Sequence, residues 1–396
     1  MGSDEIGVRI RRLRERAGVQ AKDLAEALGL DASGVSNIES GKRAVKTHEL
    51  VQIARTLGIS SLAILEPDSL LARLPVAARS STNTLDQSVH DRLTALAEIH
   101  AVLRNSSINA VREQTEPPKI DPRNWWVAAR ELATWAAERI KFDDERGRFE
   151  SLATSMEDGL GIDVLVEECA DSGALGAAIT DSEFPFVYIN ASQPRARALF
   201  TLAHELGHVL ARDGATLTVE RDLSGINTSE RLANAFASEL LMPQAEIEEI
   251  LKNYGKNAAA LGEIMKRFQV SFESMVYRLH NLDIINAEGR DNFLSIRFGG
   301  LLAQLDSPED RAALLELRAT LDQKRPPRLL IERLLRGYSQ GIVSVRPLAE
   351  MLNQDPDDLI ELLSSQESES LDFTGLLRNS AGPGTSQEDR FAGQPA

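Results

Sequence analysis

Residues 197–213 read RALFTLAHELGHVLARD, and the reading of this stretch decides the rest. Leu199, Leu202, Leu206, Val209 and Leu210 recur at helical spacing and predict a buried helix. His204 and His208 stand four apart, so both imidazoles leave the same side of that helix and can clamp one metal ion. Glu205 sits one step round, where it can reach a water bound to that metal. Gly207 lowers helix propensity by about 1 kcal/mol relative to Ala. Glycine makes sense there if another backbone must come close. A catalytic zinc ordinarily keeps three protein ligands and one open position, so a third ligand is expected elsewhere.

Downstream, residues 212–227 are polar and glycine-containing and read as a loop. Residues 228–242, TSERLANAFASELLM, return to helical spacing and stop at Pro243. Glu230, Asn234, Ala237 and Leu241 share one face, with Glu239 opposite Glu230. Glu230 is therefore chosen as third ligand, with Glu220, Asp222 and Glu239 as competitors. Asn234, one turn on, is placed to orient a metal-bound histidine. Upstream, 161–166, 174–180 and FPFVYIN at 184–190 are apolar, β-branched or aromatic runs that predict strands. A small sheet should thus precede the metal helix and pack on it. Residues 124–136 and 146–160 read as helices before it, the first with Trp125, Val127, Leu132 and Ala136 on its apolar face.

The chain has 396 residues, room for several domains, with 42% hydrophobic and 26% charged residues. No apolar run approaches a membrane span, and the charged N-terminus lacks the apolar centre of a signal peptide. The single cysteine, Cys169, excludes an internal disulfide and a multi-thiolate zinc site, and reads as a small buried apolar residue. These features predict a cytoplasmic protein with no membrane partner. The net charge is −16, yet residues 1–66 carry ten Lys and Arg against nine Asp and Glu. Any nucleic-acid contact should therefore be local to this near-neutral segment.

Residues 4–66 read as five short helices. Ile6, Ile10 and Leu13 stripe the first, Gly18 and Gly29 end the first two, Asp31 caps the third, and Gly41 closes it. Short helices joined by glycine-containing turns fit a helix-turn-helix. Gln20, Leu24-Ala25, Val35-Ser36, Ile38-Glu39, Gly41 and Leu57-Gly58 make the segment resemble the phage-repressor (Cro/C1 or XRE) helix-turn-helix family. That resemblance implies that Ala32, Ser33, Gly34, Ser36 and Asn37 face bases in the major groove. It puts Gln20, Lys42 and Arg43 near phosphates. A homodimer on a paired double-stranded DNA operator is the expected form.

A second resemblance covers about 120–285. Arg197-x-x-Phe-Thr-Leu-Ala-His-Glu-Leu-Gly-His, then Glu230-x-x-Ala-Asn-x-Phe-Ala, then Leu240-Leu-Met-Pro, resemble the ImmA/IrrE family of zinc metallopeptidases. The family implies a zincin-like fold and members that cleave or help inactivate helix-turn-helix repressors in mobile-element and DNA-damage control. Carried over, zinc falls to His204, His208 and Glu230, with Glu205 as general base. Two imidazoles and a carboxylate also tolerate Mn2+. Tyr188, Arg197, Tyr254, Tyr277 and His280 are the candidates for a second oxyanion donor, and the sequence does not choose among them.

Residues 258–285 look like a second small helix-turn-helix, and 301–365 are amphipathic helices without recognisable chemistry. Residues 85–103 have helical spacing; His90 and His100 within them read as surface residues. The predicted chain is multidomain and mainly α. An all-α helix-turn-helix occupies 1–66 and a helical linker 67–118. An α+β zincin-like domain with a small sheet spans 119–290, including the piece at 258–285. A C-terminal helical region covers 291–365 and a disordered tail 366–396. The function expected is a DNA-binding transcriptional regulator with a zinc-dependent endopeptidase domain. Its protein substrate would be a helix-turn-helix repressor, or the chain itself. The alternative is a non-proteolytic regulator whose zincin-like domain senses a ligand or binds a partner.

Overall fold

Strand burial organises the centre of the molecule. The computed structural model describes residues 3–16, 19–57, 61–65, 87–106, 108, 116–143, 145–169, 174–182, 184–212, 217–220 and 228–365. Helices α1–α5 are Ser3–Arg16, Ala21–Leu28, Ala32–Glu39, Thr47–Leu57 and Ser61–Leu65. Then come α6 (Gln87–Asn105), α7 (Trp125–Ala137) and α8 (Arg148–Leu160). Strands β1 (Asp163–Glu167), β2 (Gly176–Ile179) and β3 (Phe186–Asn190) lead into α9 (Arg195–Ala211). After β4 (Leu217–Glu220) the chain is helical: α10 (Thr228–Leu241), α11 (Gln244–Tyr254), α12 (Ala258–Phe268) and α13 (Phe272–Asn281). Helices α14–α18 are Ala287–Gln304, Pro308–Glu316, Arg328–Ser339, Arg346–Leu352 and Pro356–Ser365.

The sheet order is β1-β3-β2-β4, with β1 and β3 parallel and β2 antiparallel to both β3 and β4. Successive side chains leave a strand on opposite faces, and here both faces are buried. Val164, Val166, Ala178, Val187 and Ile189 join the core built by α7–α13. Leu165, Ala177, Ile179, Phe186 and Tyr188 join a second core with α6 and α16–α18. A sheet covered on both sides needs apolar residues at every position, which is why 184–190 reads as an unbroken run.

That second core corrects one expectation. His100 is buried rather than on the surface: its ring stacks on Phe184 at 4.4 Å, and Arg333 Nη1 lies 2.7 Å from its Nδ1. Helix α6 packs against the sheet and α16, so a residue on its inner side has no route to water. Arg333 also donates to Asp163 Oδ2 at 2.9 Å, while His100 Nε2 has no hydrogen-bond partner among the described residues. Burial, then Arg333, pushes the His100 pKa down to about 3. On α7, Val127 is exposed, and the buried stripe is Ala128, Ala129, Leu132, Ala133 and Ala136. Residues 217–220, expected within a loop, form β4 by pairing with β2.

The C-terminal helices are tied back to the sheet through Arg325. Its backbone pairs with Val166 in both directions, at 2.8 and 2.9 Å, and its guanidinium grips the buried Glu157 at 2.6 and 2.9 Å. The helix pair α12–α13, capped by Asn257 and Ser271, inserts Ile264, Phe268, Met275 and Val276 into the core beneath α9 and α10. Cys169 is partly buried against the second core. The expected tail at 366–396 and His90's side chain lie outside the described residues.

The N-terminal head has a core of its own: Ile10, Leu13, Leu24, Val35, Ile38, Ile53, Leu57 and Ile64. Arg14 on α1 pairs with Glu39 on α3 at 2.6 Å. A Cβ at Gly7 would sit 2.2 Å from the Ile38 carbonyl oxygen, so glycine is what lets α1 lie directly on the end of α3.

Candidate metal centre

Helix α9 is buried on all sides: Ala196 and every residue from Ala198 to Leu210 lie in the interior. A helix covered in this way meets neighbours all round, and its closest is α10. A Cβ at Gly207 would lie 3.0 Å from Phe236 Cδ1 and 3.1 Å from Ala233 Cα. The missing side chain is thus the space occupied by the α10 backbone. This close approach brings the first turn of α10 over the histidine face of α9.

Glu230 comes from that first turn. His204 Nε2 lies 3.2 Å from its Oε2 and His208 Nε2 lies 3.5 Å from its Oε1. The two Nε2 atoms are 3.1 Å apart, and one donor atom from each of the three residues falls within 4.8 Å of the others. Hydrogen bonds from His204 and then His208 hold the Glu230 carboxyl well below the usual carboxylate range. The other ring nitrogens have their own partners. Asn234 Oδ1 is 3.1 Å from His204 Nδ1, and Ser229 Oγ is 3.2 Å from His208 Nδ1. Here each Nε2 hydrogen-bonds to the carboxylate; in the other tautomer, with each Nδ1 donating to Asn234 Oδ1 or Ser229 Oγ, both Nε2 lone pairs would face the point where Glu230 stands. Two imidazole lone pairs and an anion converging on one point make a donor set suited to a divalent cation of the zinc type.

Glu205 is fully buried and faces the sheet. A Cβ at Gly176 on β2 would stand 2.9 Å from Glu205 Oε1 and 2.7 Å from Thr201 Cγ2. Glycine at this point of the strand therefore makes room for the carboxylate. The same strand end is fixed from α9: Gln193 Nε2 donates to Leu175 O at 2.7 Å, and Thr201 Oγ1 donates to Gln193 Oε1 at 3.0 Å. Sequence reasoning missed Ser229, Gly176 and Gln193. Ser229 adjoins Glu230, where a serine reads as an ordinary helix start. Neither Gly176 nor Gln193 carries a periodic signal.

The competing carboxylate Glu239 is engaged elsewhere, receiving both arms of the buried Arg278 at 2.8 and 2.9 Å. The side chains of Glu220 and Asp222 lie outside the described residues. Of the five candidate oxyanion donors, Tyr188 lies on the sheet's far face, and burial raises its pKa. His280 Nδ1 contacts Ile285 O at 3.2 Å. Tyr254 is half-exposed, and Arg197 and Tyr277 line a cavity that also reaches Asn234.

In the head, Gln20 precedes α2 and is exposed, as are Ser33, Ser36, Asn37 and Lys42. Asp31 caps α3, accepting from Gly34 N at 2.7 Å and from Ser33 Oγ at 2.9 Å. Gly34 is half-buried, and the Ala32 side chain lies outside the described residues. Arg43 is committed to the buried Glu49 at 2.5 Å, so its guanidinium serves the fold as well as any phosphate.

Comparison with known proteins agrees with this division. Residues 157–280 match the IrrE N-terminal-like domain family, and 5–63 match a helix-turn-helix domain family. The chain is 36% identical over 104 residues to the radiation response metalloprotease IrrE of Deinococcus radiodurans, covering 25% of this chain and 32% of that protein. It is 34% identical over 104 residues to the protein of that name from Deinococcus deserti, covering 25% of this chain and 37% of the relative. The chain spans about a third of the length of these curated relatives. It therefore joins a helix-turn-helix DNA-binding domain to an IrrE/ImmA-type metallopeptidase-like domain. Among the described residues no helix is long and apolar enough to cross a membrane.

Proposed function

We propose that this chain is a transcriptional regulator whose central domain is a zinc-dependent endopeptidase. It cleaves a helix-turn-helix repressor, or itself, to release stress-response or mobile-element genes. The observation that carries this reading is a buried carboxylate, Glu205, held against the sheet on the helix that also supplies His204 and His208. A structural metal site needs no such group.

A zinc ion held by His204, His208 and Glu230 would supply Lewis acidity that makes water nucleophilic near neutral pH. Manganese is compatible with the same donors. The chain's own residues do the rest. Asn234 and Ser229 fix the tautomer and tilt of the two imidazoles. Glu205 takes the proton of the attacking water and returns it to the leaving amide nitrogen. The fully buried surroundings of Glu205 keep its proton transfers away from bulk solvent. The head binds an operator as a homodimer, with Ser33, Ser36 and Asn37 at base edges and Gln20 and Lys42 at phosphates, which places the endopeptidase beside DNA-bound repressors. We divide the chain at 1–66, 67–118, 119–290 and 291–365, followed by the tail, with α6 and α16–α18 of the second and fourth segments packed on the sheet of the third.

Cells carrying wild type and cells carrying Glu205→Gln are compared, with and without DNA damage, by mapping protein N-termini and transcripts. New N-termini that require Glu205, in a repressor or in this chain, are expected. Identical N-termini with identical transcript control would replace the endopeptidase by a regulator that keeps its metal site for sensing.

A further inference from the structure

A cavity of about 1090 Å³ opens next to the metal cluster, and Asn234, the partner of His204 Nδ1, forms part of its wall. Its floor is apolar, with Phe200, Met265 and Phe298 buried there. Its rim carries three exposed arginines: Arg197 from α9, Arg231 from α10 and Arg318 from the segment after α15. That segment is pinned to the start of α9, where Ala196 N donates to Leu317 O at 3.0 Å and Arg195 N to Ala319 O at 2.9 Å. The third arginine is thus part of a built wall. Among the described residues none of the three pairs with a carboxylate. Among the described lining residues the only acid is Glu273.

Arginines clustered without counter-ions are unusual in a chain of net charge −16. Three guanidinium groups around an aromatic floor match a ligand with a charged head and an apolar body: forked donors for a carboxylate or phosphate, and ring faces for the rest. The volume, about 1090 Å³, is slightly above the usual range of small-molecule pockets, and a folded partner would need a far larger surface. The geometry points to a binding site for a small amphipathic organic anion, coupled to the metal centre through Asn234. Its head lies between Arg231 and Arg318, the latter placed over the Phe298 ring at 5.1 Å, and its apolar body on Phe200 and Met265. A ligand that orders Asn234 also orders His204, and the coupling is reciprocal: metal binding and anion binding change one another's affinity by the same factor. The site stands whether or not the chain cleaves protein.

The test uses the full chain, with 1-naphthylacetate as probe and 1-naphthylacetamide as its neutral isostere, titrated by calorimetry in physiological salt. Saturable one-site binding of the anion is expected, with the amide much weaker. Arg231→Gln combined with Arg318→Gln should weaken the anion by about tenfold or more and leave the amide unchanged. Both side chains are exposed and the only ring contact among the described residues is Arg318 over Phe298 at 5.1 Å, so the thermal transition should move little. Zinc affinity, read by competition with a chromophoric chelator, should change by about fivefold or more when the probe is saturating. Equal affinity for anion and amide, or indifference to the arginine variants, would overturn the anion site. Unchanged zinc affinity would overturn the coupling. Binding of the acidic peptide Ac-Glu-Phe-Glu-Leu-Glu-amide without any binding of 1-naphthylacetate would overturn the small-molecule assignment in favour of a polypeptide.

Discussion

Gly207→Ala sets two physical effects against each other, and the structure says which prevails. Helix propensity alone predicts a gain of about 1 kcal/mol, because alanine loses less backbone freedom than glycine. Packing predicts a loss. The added Cβ would meet Ala233 Cα at 3.1 Å and Phe236 Cδ1 at 3.0 Å, whereas non-bonded carbons prefer about 3.5–4.0 Å. Phe236 can turn a little, but Ala233 Cα is backbone, so α9 and α10 must separate by roughly half an ångström. Overpacking of this kind costs about 1–3 kcal/mol, so the net change is a destabilisation of up to about 2 kcal/mol. The larger effect falls on the metal. Glu230 stands one turn before Ala233, and metal–ligand distances tolerate about 0.2 Å. Zinc affinity should drop by about tenfold or more, while His204 and His208 keep their spacing on α9. Thermal denaturation of the apo chain and a chelator competition for zinc measure the two effects separately. A variant that melts higher than wild type and holds zinc equally well would refute both the close approach and the role assigned to Glu230.

His204→Ala should abolish stoichiometric zinc binding by elemental analysis. Glu230→Gln should do nearly the same, whereas Glu239→Gln should retain zinc but lose stability by about 3 kcal/mol or more, because it strands the buried Arg278; equal zinc loss in the two would mean that the third ligand is misassigned. Lys42→Ala should weaken DNA binding alike on all sequences and lower the salt slope by about 1, whereas Arg43→Ala should also lower the head's melting temperature by releasing Glu49. His100 carries a folded-state pKa of about 3, below its ordinary 6.5, so the unfolded chain takes up its proton first. Its contribution to stability is complete above pH 6.5 and is lost as the pH falls toward 3. Denaturant titrations at several pH values should show this loss, with a shallower slope in His100→Gln.

The helix that carries the candidate metal ligands was legible because its information is local: His204, Glu205 and His208 fall within one turn and a half, and the apolar residues around them keep helical period. The strands were legible for the opposite reason, since burial on both faces leaves an apolar run with no alternation to misread. What covers the second face was not legible. Helix α6 and α16 are separated by more than two hundred residues, and their contact leaves no periodic mark in either segment. His100 therefore read as a surface residue, although Arg333 and Phe184 enclose it. Gly176 reads as any strand glycine until the Glu205 carboxylate is seen against it. Arg43 shows the complementary difficulty: a basic residue at the end of a recognition helix suggests phosphate, and only the fold reveals Glu49 at its other side.

The three cores have a consequence for what a cut would do. Among the described residues the head's core shares no residue with the other two, whereas α6, the next described helix after it, is built into the sheet's second face. Residues 66–86 lie between them in the chain. Among the described residues, every core residue of the head precedes this interval and every residue of the other two cores follows it, so a break there would separate the head from the rest. While the chain is whole, covalent linkage keeps the head at a high effective concentration beside the rest of the protein. Once the chain is severed, that local concentration collapses to the cellular one, and a head that still binds DNA would compete with the uncut protein for the same sites.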